Sequence, residues 1–191
     1  HPSTNAGNKA FEYVELYNRG TNSIDLSNWA LTNAVSYGFT NGQVIQGQGY
    51  LVVAADTNAF AAKYPAVPAS TVVGNWQGTL KNSGERMNLV RFIEDATQRV
   101  DTRHYSDQGA WGVRVEDTNY LQYGYTGWSW QPEHDGMGKS LELLNAKAPN
   151  QYGQNWAASI TNGGTPGAAN STQLADNALS PVIYDLSHSP A

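Results

Sequence analysis

Apolar positions along the chain fall in short runs separated by Gly, Asn, Asp, Ser and Pro. That punctuation predicts strands and turns rather than helices. Phe11 to Tyr17 alternates, with Phe11, Tyr13, Glu15 and Tyr17 on one face and Glu12, Val14 and Leu16 on the other. Ser23–Leu26 and Trp29–Thr32 read as short strands on either side of a Ser27-Asn28 turn. Asn41-Gly42 is a hairpin-type dipeptide, and Val44-Ile45 follows it. Tyr50–Ala55 is apolar throughout, as a central strand would be. Asp56-Thr57-Asn58 then offers short oxygen side chains to cap a helix over Ala59–Tyr64, which Pro65 stops. Val72-Val73, Arg86–Ile93 and Gln98–Tyr105 read as further strands, with turns at Gly74–Gly78 and Asn82–Glu85.

Ser106–Met137 differs in kind. Trp111, Tyr120, Tyr123, Tyr125, Trp128 and Trp130 lie among Gly, Asp and Glu, and the stretch reads as one long aromatic loop leaving a sheet. Structureless connections beyond ~12–15 residues are uncommon and often functional. Lys139–Leu144 returns to strand, and Pro149–Asn170 is polar and Gly-rich. Leu174–Ala191 changes character again: Pro181–Leu186 looks like the first strand of a following module. Many short strands at turn-punctuated spacing predict an all-β sandwich or barrel.

Composition narrows the function classes. Charged residues make up 14% of the 191, against about 25% in ordinary domains. The net charge is −5, with no Lys/Arg cluster to track phosphates, so nucleic acid is not an expected partner. No apolar run approaches the ~20 residues of a membrane helix, so no membrane insertion is expected. With no cysteine, neither a disulfide nor a Cys-based zinc site can form. A cysteine-free, acidic chain rich in Asn, Gly and Thr fits an extracellular or cell-surface bacterial protein.

Several ordered motifs carry a family likeness. Phe11–Asn18, then Ile24-Asp25-Leu26-Ser27-Asn28-Trp29-Ala30-Leu31-Thr32, resembles the opening of lamin-tail domains. Gly49–Ala54 followed by a short helix ending at Tyr64-Pro65 fits too, as does Leu80–Glu85 leading into Met87-Asn88-Leu89. In the second half, Asp135–Leu144, Gln154–Ser159 and Gly163–Ser171 resemble the version found in large secreted bacterial proteins. The resemblance spans roughly residues 10–171 and implies an immunoglobulin-like β-sandwich with one short helix and a long aromatic-rich loop. It also implies that the family's usual first strand is missing before His1, so residues 1–171 form the sandwich domain. Residues 172–191 are then a linker and the start of a following module.

The candidate chemistry is sparse. Glu12 and Glu15 could act as paired carboxylates, but a regular strand places them on opposite faces. The plainer expectation is that one caps a turn or pairs with Arg19 or Arg86. Asp25 is read as a turn residue accepting from Ser27, and Trp29 as core. Glu133-His134-Asp135-Gly136 is the densest polar stretch. With Asp107, the carboxylates of Glu133 and Asp135 are candidate Ca²⁺ ligands, since that ion wants oxygen donors. The alternative is an Asx turn set up by Asp135. His104 and His134 are too isolated to argue for zinc.

Trp111, Tyr125, Trp128 and Trp130 suit three roles. They could stack on sugar rings, form a protein hot spot, or make a satellite core that pins the loop. Trp128-Ser129-Trp130 has period-2 spacing, so both rings face one way if the chain is extended. A Gly-Trp-x-Trp pattern recurs in the resembling domains, which favours a structural role.

The leading expectation is a non-catalytic interaction module of a larger bacterial protein. Its partners would be flanking domains of the same polypeptide, and a polysaccharide or cell-surface protein. The alternative is a carbohydrate-binding module using the aromatic loop. Least favoured is a glycan-active enzyme with Glu12 or Glu133 and His134 as acid and base, because no catalytic frame accompanies them.

Overall fold

The computed structural model describes residues 6–122 and 125–174. After a 3-10 segment, Ala6–Phe11, the strands are β1 (Tyr13–Tyr17), β2 (Ile24–Asp25), β3 (Trp29–Asn33), β4 (Val35–Gly38), β5 (Val44–Ile45) and β6 (Tyr50–Ala54). The helix α1 (Thr57–Lys63) follows, then β7 (Val72–Gly74), β8 (Gln77–Gly78), β9 (Gly84–Ile93) and β10 (Ala96–Ser106). The last strands are β11 (Val113–Gln122), β12 (Tyr125–Gln131), β13 (Leu141–Leu143) and β14 (Trp156–Ala158). A three-stranded sheet ordered β1-β6-β7 and a five-stranded sheet ordered β10-β9-β3-β4-β8 make up the sandwich. This is the all-β, immunoglobulin-like architecture expected from the sequence.

Strand β6 explains the arrangement. It pairs antiparallel with β1 on one side and parallel with β7 on the other. Leu51 and Val53 point into a core shared with Leu26, Leu31, Val35, Phe39, Ile45 and Trp76, against which Val14 and Leu16 of β1 also pack. Val52 and Ala54 point the opposite way, onto Phe60 of α1, with Tyr13, Tyr64 and Val72 around them. The strand is apolar at every position because both its faces are covered. Trp29 packs half-buried against the first core.

The local signals act as read. Asp56 caps α1, its Oδ1 accepting from the Asn58 and Ala59 N–H groups, both at 2.9 Å. Asp25 Oδ1 accepts from the Ser27 N–H and hydroxyl, and those bonds hold its carboxyl below the ordinary range.

Asn41-Gly42 turns the chain between β4 and β5, but these do not pair with each other. β4 pairs with β3 and β5 with β2, so the hairpin is nested. Its tight turn lies at Asn33-Ala34, where Asn33 takes φ 77°, a left-handed conformation that Asn tolerates better than most residues. Ser106–Met137 is not a loop. Most of it is the two-stranded antiparallel hairpin β11–β12, whose alternation was hidden by its unusual density of aromatic and polar residues. The polar stretch Pro149–Asn170 contains a short strand, β14, paired with β13. Residues 175–191, with the candidate module start Pro181–Leu186, lie outside the described residues.

Phe60 is fully buried and is the main apolar cover of one β6 face. Phe60→Ala is expected to destabilise the fold by about 3–5 kcal/mol, through lost transfer energy plus a cavity. Denaturant unfolding of the variant against the parent chain checks this.

Candidate interaction surface

In the β11–β12 hairpin, Arg114 lies opposite Trp130 and Glu116 opposite Trp128, while Val115 pairs with Ser129. Because strand side chains alternate, Arg114, Glu116, Trp128 and Trp130 share one face. Trp128 is 57% exposed and Trp130 44% exposed. The Arg114 guanidinium sits 4.2 Å from the centroid of the Trp128 ring. Such a contact contributes about 0.5–1 kcal/mol at an exposed site and holds both groups in place. Composition and spacing had not pointed to Arg114; only the cross-strand register puts it beside the rings.

Trp111 behaves differently. It is half-buried in a short 3-10 segment, Gly109–Trp111, and its ring packs on Trp156 at 6.0 Å. Trp156 Nε1 in turn donates to Asn150 O. A Cβ on Gly153 would lie 2.7 Å from Ala110 C, so only glycine allows the two segments to close. The Trp111 ring is thus packed against a second indole, whereas the Trp128 and Trp130 rings stand exposed. The side chains of Tyr120 and Tyr125, and all of Tyr123, lie outside the described residues.

The polar stretch after β12 braces the hairpin's base. His134 is 6% exposed, and its Nε2 donates to Ser106 O at 2.9 Å. Burial lowers its pKa, while the bond to Ser106 opposes that shift. The ring thus ties the end of β10 to the chain leaving β12. Asp135 N donates to Pro132 O, and Gly136 takes φ 69°, which makes this a turn. Glu133 is ion-paired with Lys139. Among the described residues, no three His, Asp or Glu side chains are placed to hold a metal ion. Asp107, Glu133 and Asp135 are therefore not brought together as Ca²⁺ ligands, because Glu133 turns to Lys139.

The two candidate carboxylates of the first strand both accept from backbone N–H groups. Glu12, 2% exposed, receives the Leu80 N–H on Oε2 at 3.0 Å, and burial pushes its pKa up against that bond. Glu15 receives the Gly167 N–H on Oε2 at 2.5 Å. The acid/base pairing of Glu12 or Glu133 with His134 finds no support, since each group is engaged elsewhere.

Sequence reading gave no role to Glu142, a carboxylate 4% exposed within the short strand β13. Its oxygens accept from the hydroxyls of Ser140, Thr165, Ser171 and Thr172 and from the Thr172 N–H. The signal was a charged residue at an inward position between Leu141 and Leu143.

The lamin tail domain family model matches residues 1–107, the part that ends just after β10. No curated protein and no solved structure matches the chain. No helix among the described residues is long and apolar enough to cross a membrane.

Trp128→Ala and Trp130→Ala are each expected to change stability by no more than about 1 kcal/mol, as exposed positions do. Trp111→Ala should cost more, about 1–3 kcal/mol, because its ring is packed. Thermal melts of the three variants distinguish a presented surface from a buried brace.

Proposed function

The chain belongs to the lamin tail domain family, and from that premise we propose that it is an interaction module of a larger secreted or cell-surface bacterial protein, making contact through the exposed face of β11–β12. The family is one of immunoglobulin-like, non-catalytic domains that generally serve as interaction modules. The observation that carries the reading is the exposure of Trp128 and Trp130 on one face of a hairpin whose base is braced by His134 and Trp111. Large rings left in water on a fixed support are what an interface core needs, since Trp and Arg dominate binding hot spots. Rigidity at the base lowers the ordering cost of association. The acidic net charge and the absence of a basic cluster disfavour polyanionic partners.

Flanking domains of the same polypeptide and cell-surface proteins are the partners this surface suits best. A polysaccharide is the second reading, favoured by two indoles spaced two residues apart on one strand face. Arg114 over the Trp128 ring weighs against it, because the guanidinium occupies ring surface that a pyranose would use.

Affinity electrophoresis against a polysaccharide panel, and titration calorimetry against neighbouring domains of the polypeptide, separate the two. In whichever assay registers binding, the Trp128→Ala/Trp130→Ala double variant should lose at least tenfold in affinity, ~1.4 kcal/mol. Binding that survives the double substitution would remove the hairpin face as the site.

A further inference from the structure

Residues 163–172 cross the β1 end of the sandwich as a strap held by a series of polar contacts. The hydroxyls of Tyr13 and Tyr64 both donate to Gly163 O, at 3.0 and 2.8 Å. Gly167 N donates to Glu15, while Thr165, Ser171 and Thr172 converge on Glu142. Asn170 Nδ2 donates to Leu143 O at 2.9 Å. The strap fits closely: at Gly164, with φ 75°, a Cβ would overlap Ser140 Oγ and lie 2.7 Å from the Tyr13 hydroxyl oxygen.

Two inward-facing carboxylates, one from β1 and one from β13, thus hold the same ten-residue segment. The ion pairs Arg103–Asp101 and Lys139–Glu133 involve neither carboxylate, and the groups that donate to Glu15 and Glu142 are hydroxyls and backbone N–H groups. The titratable groups facing Glu15 are Tyr13 on its own strand, Tyr50 on β6 and Glu142 on β13, with Tyr64 beside Tyr13. All of them are neutral or acidic. Glu142 accepts from several donors, whereas Glu15 has a single backbone donor. A carboxylate with few donors in a desolvated site ionises only at a cost.

We propose that residues 163–172 form a proton-gated clasp, closed on the sandwich while Glu15 holds a proton and loosened when Glu15 is ionised. Burial pushes Glu15 from 4.5 to about 7, with Glu142 adding to the rise and the Gly167 N–H opposing it. The sign follows from linkage. The closed form binds the proton more tightly than the open form, so closure is favoured on the acid side and lost as pH rises from about 4.5 through about 7.

Pulse-labelling hydrogen exchange at pH 5 and pH 8, corrected for intrinsic rates, reads this directly. Protection of the Gly167 and Thr172 amides should fall about tenfold or more at the higher pH, since each unit of pKa change is a factor of ten. The Val52 and Val53 amides of β6 should keep theirs. Glu15→Gln retains an acceptor for Gly167 and removes the charge, so its strap should be equally protected at both pH values. Unchanged strap protection in the parent chain, an equal loss at Val52 and Val53, or the same loss in Glu15→Gln would each overturn the proposal. If the variant does not fold, the strap-to-β6 protection ratio of the parent chain decides alone.

Discussion

Val52 and Val53 are adjacent, point to opposite sides of β6, and are both fully buried. A strand in that position needs two covers, and much of the molecule follows from supplying them. The first cover is the five-stranded sheet, whose Leu31, Val35 and Leu89 meet Leu51 and Val53. The second is smaller. Helix α1 gives Phe60, its C-cap residue is Tyr64, and β1 gives Tyr13, which meets both rings edge-on at 5.6 and 5.8 Å. One seven-residue helix cannot roof the whole face.

The remainder of that face lies under polar chain. Glu15 shares the Tyr13 side of β1, where an apolar residue would have been the simpler choice, and Glu142 approaches from β13. Each accepts hydrogen bonds from the Gly-rich segment that ends the described structure. A buried carboxylate is costly unless its lone pairs are met by donors. The strap meets them with backbone N–H groups and hydroxyls rather than with cations. The second half of the chain is therefore part of the sandwich's own covering, although the family match ends at residue 107.

Between the matched part and the strap, the chain makes its hairpin. The aromatic residues there divide into two groups for a simple geometric reason. Trp111 precedes the hairpin, where the chain doubles back against the segment carrying Trp156, so its ring is packed. Trp128 and Trp130 lie on a strand whose sheet has only two members, and the face they share is left in water. His134 joins the two ends of the excursion. An arm so anchored can offer its rings to a partner without the fold depending on them.

Local chemistry was enough to place much of this. The all-apolar run Tyr50–Ala54 marks a strand covered on both faces, the Asp56 oxygen marks the start of a helix, and alternation along Phe11–Tyr17 sorts β1 into two faces. These are short-range effects, set by side-chain period and by backbone groups seeking the nearest acceptor. The ordered family motifs made the sandwich legible as well. The candidate surface was half legible: the period-2 spacing of Trp128 and Trp130 put them on one face, but whether that face met water or core depended on how the hairpin packs. Arg114 came into the site through register alone. Glu15 and Glu142 met only because segments more than a hundred residues apart fold together, with donors contributed by a third. Period and capping act within a few residues and can be read along the chain. Exposure, cross-strand register and the company a buried carboxylate keeps are fixed only when distant segments close on one another.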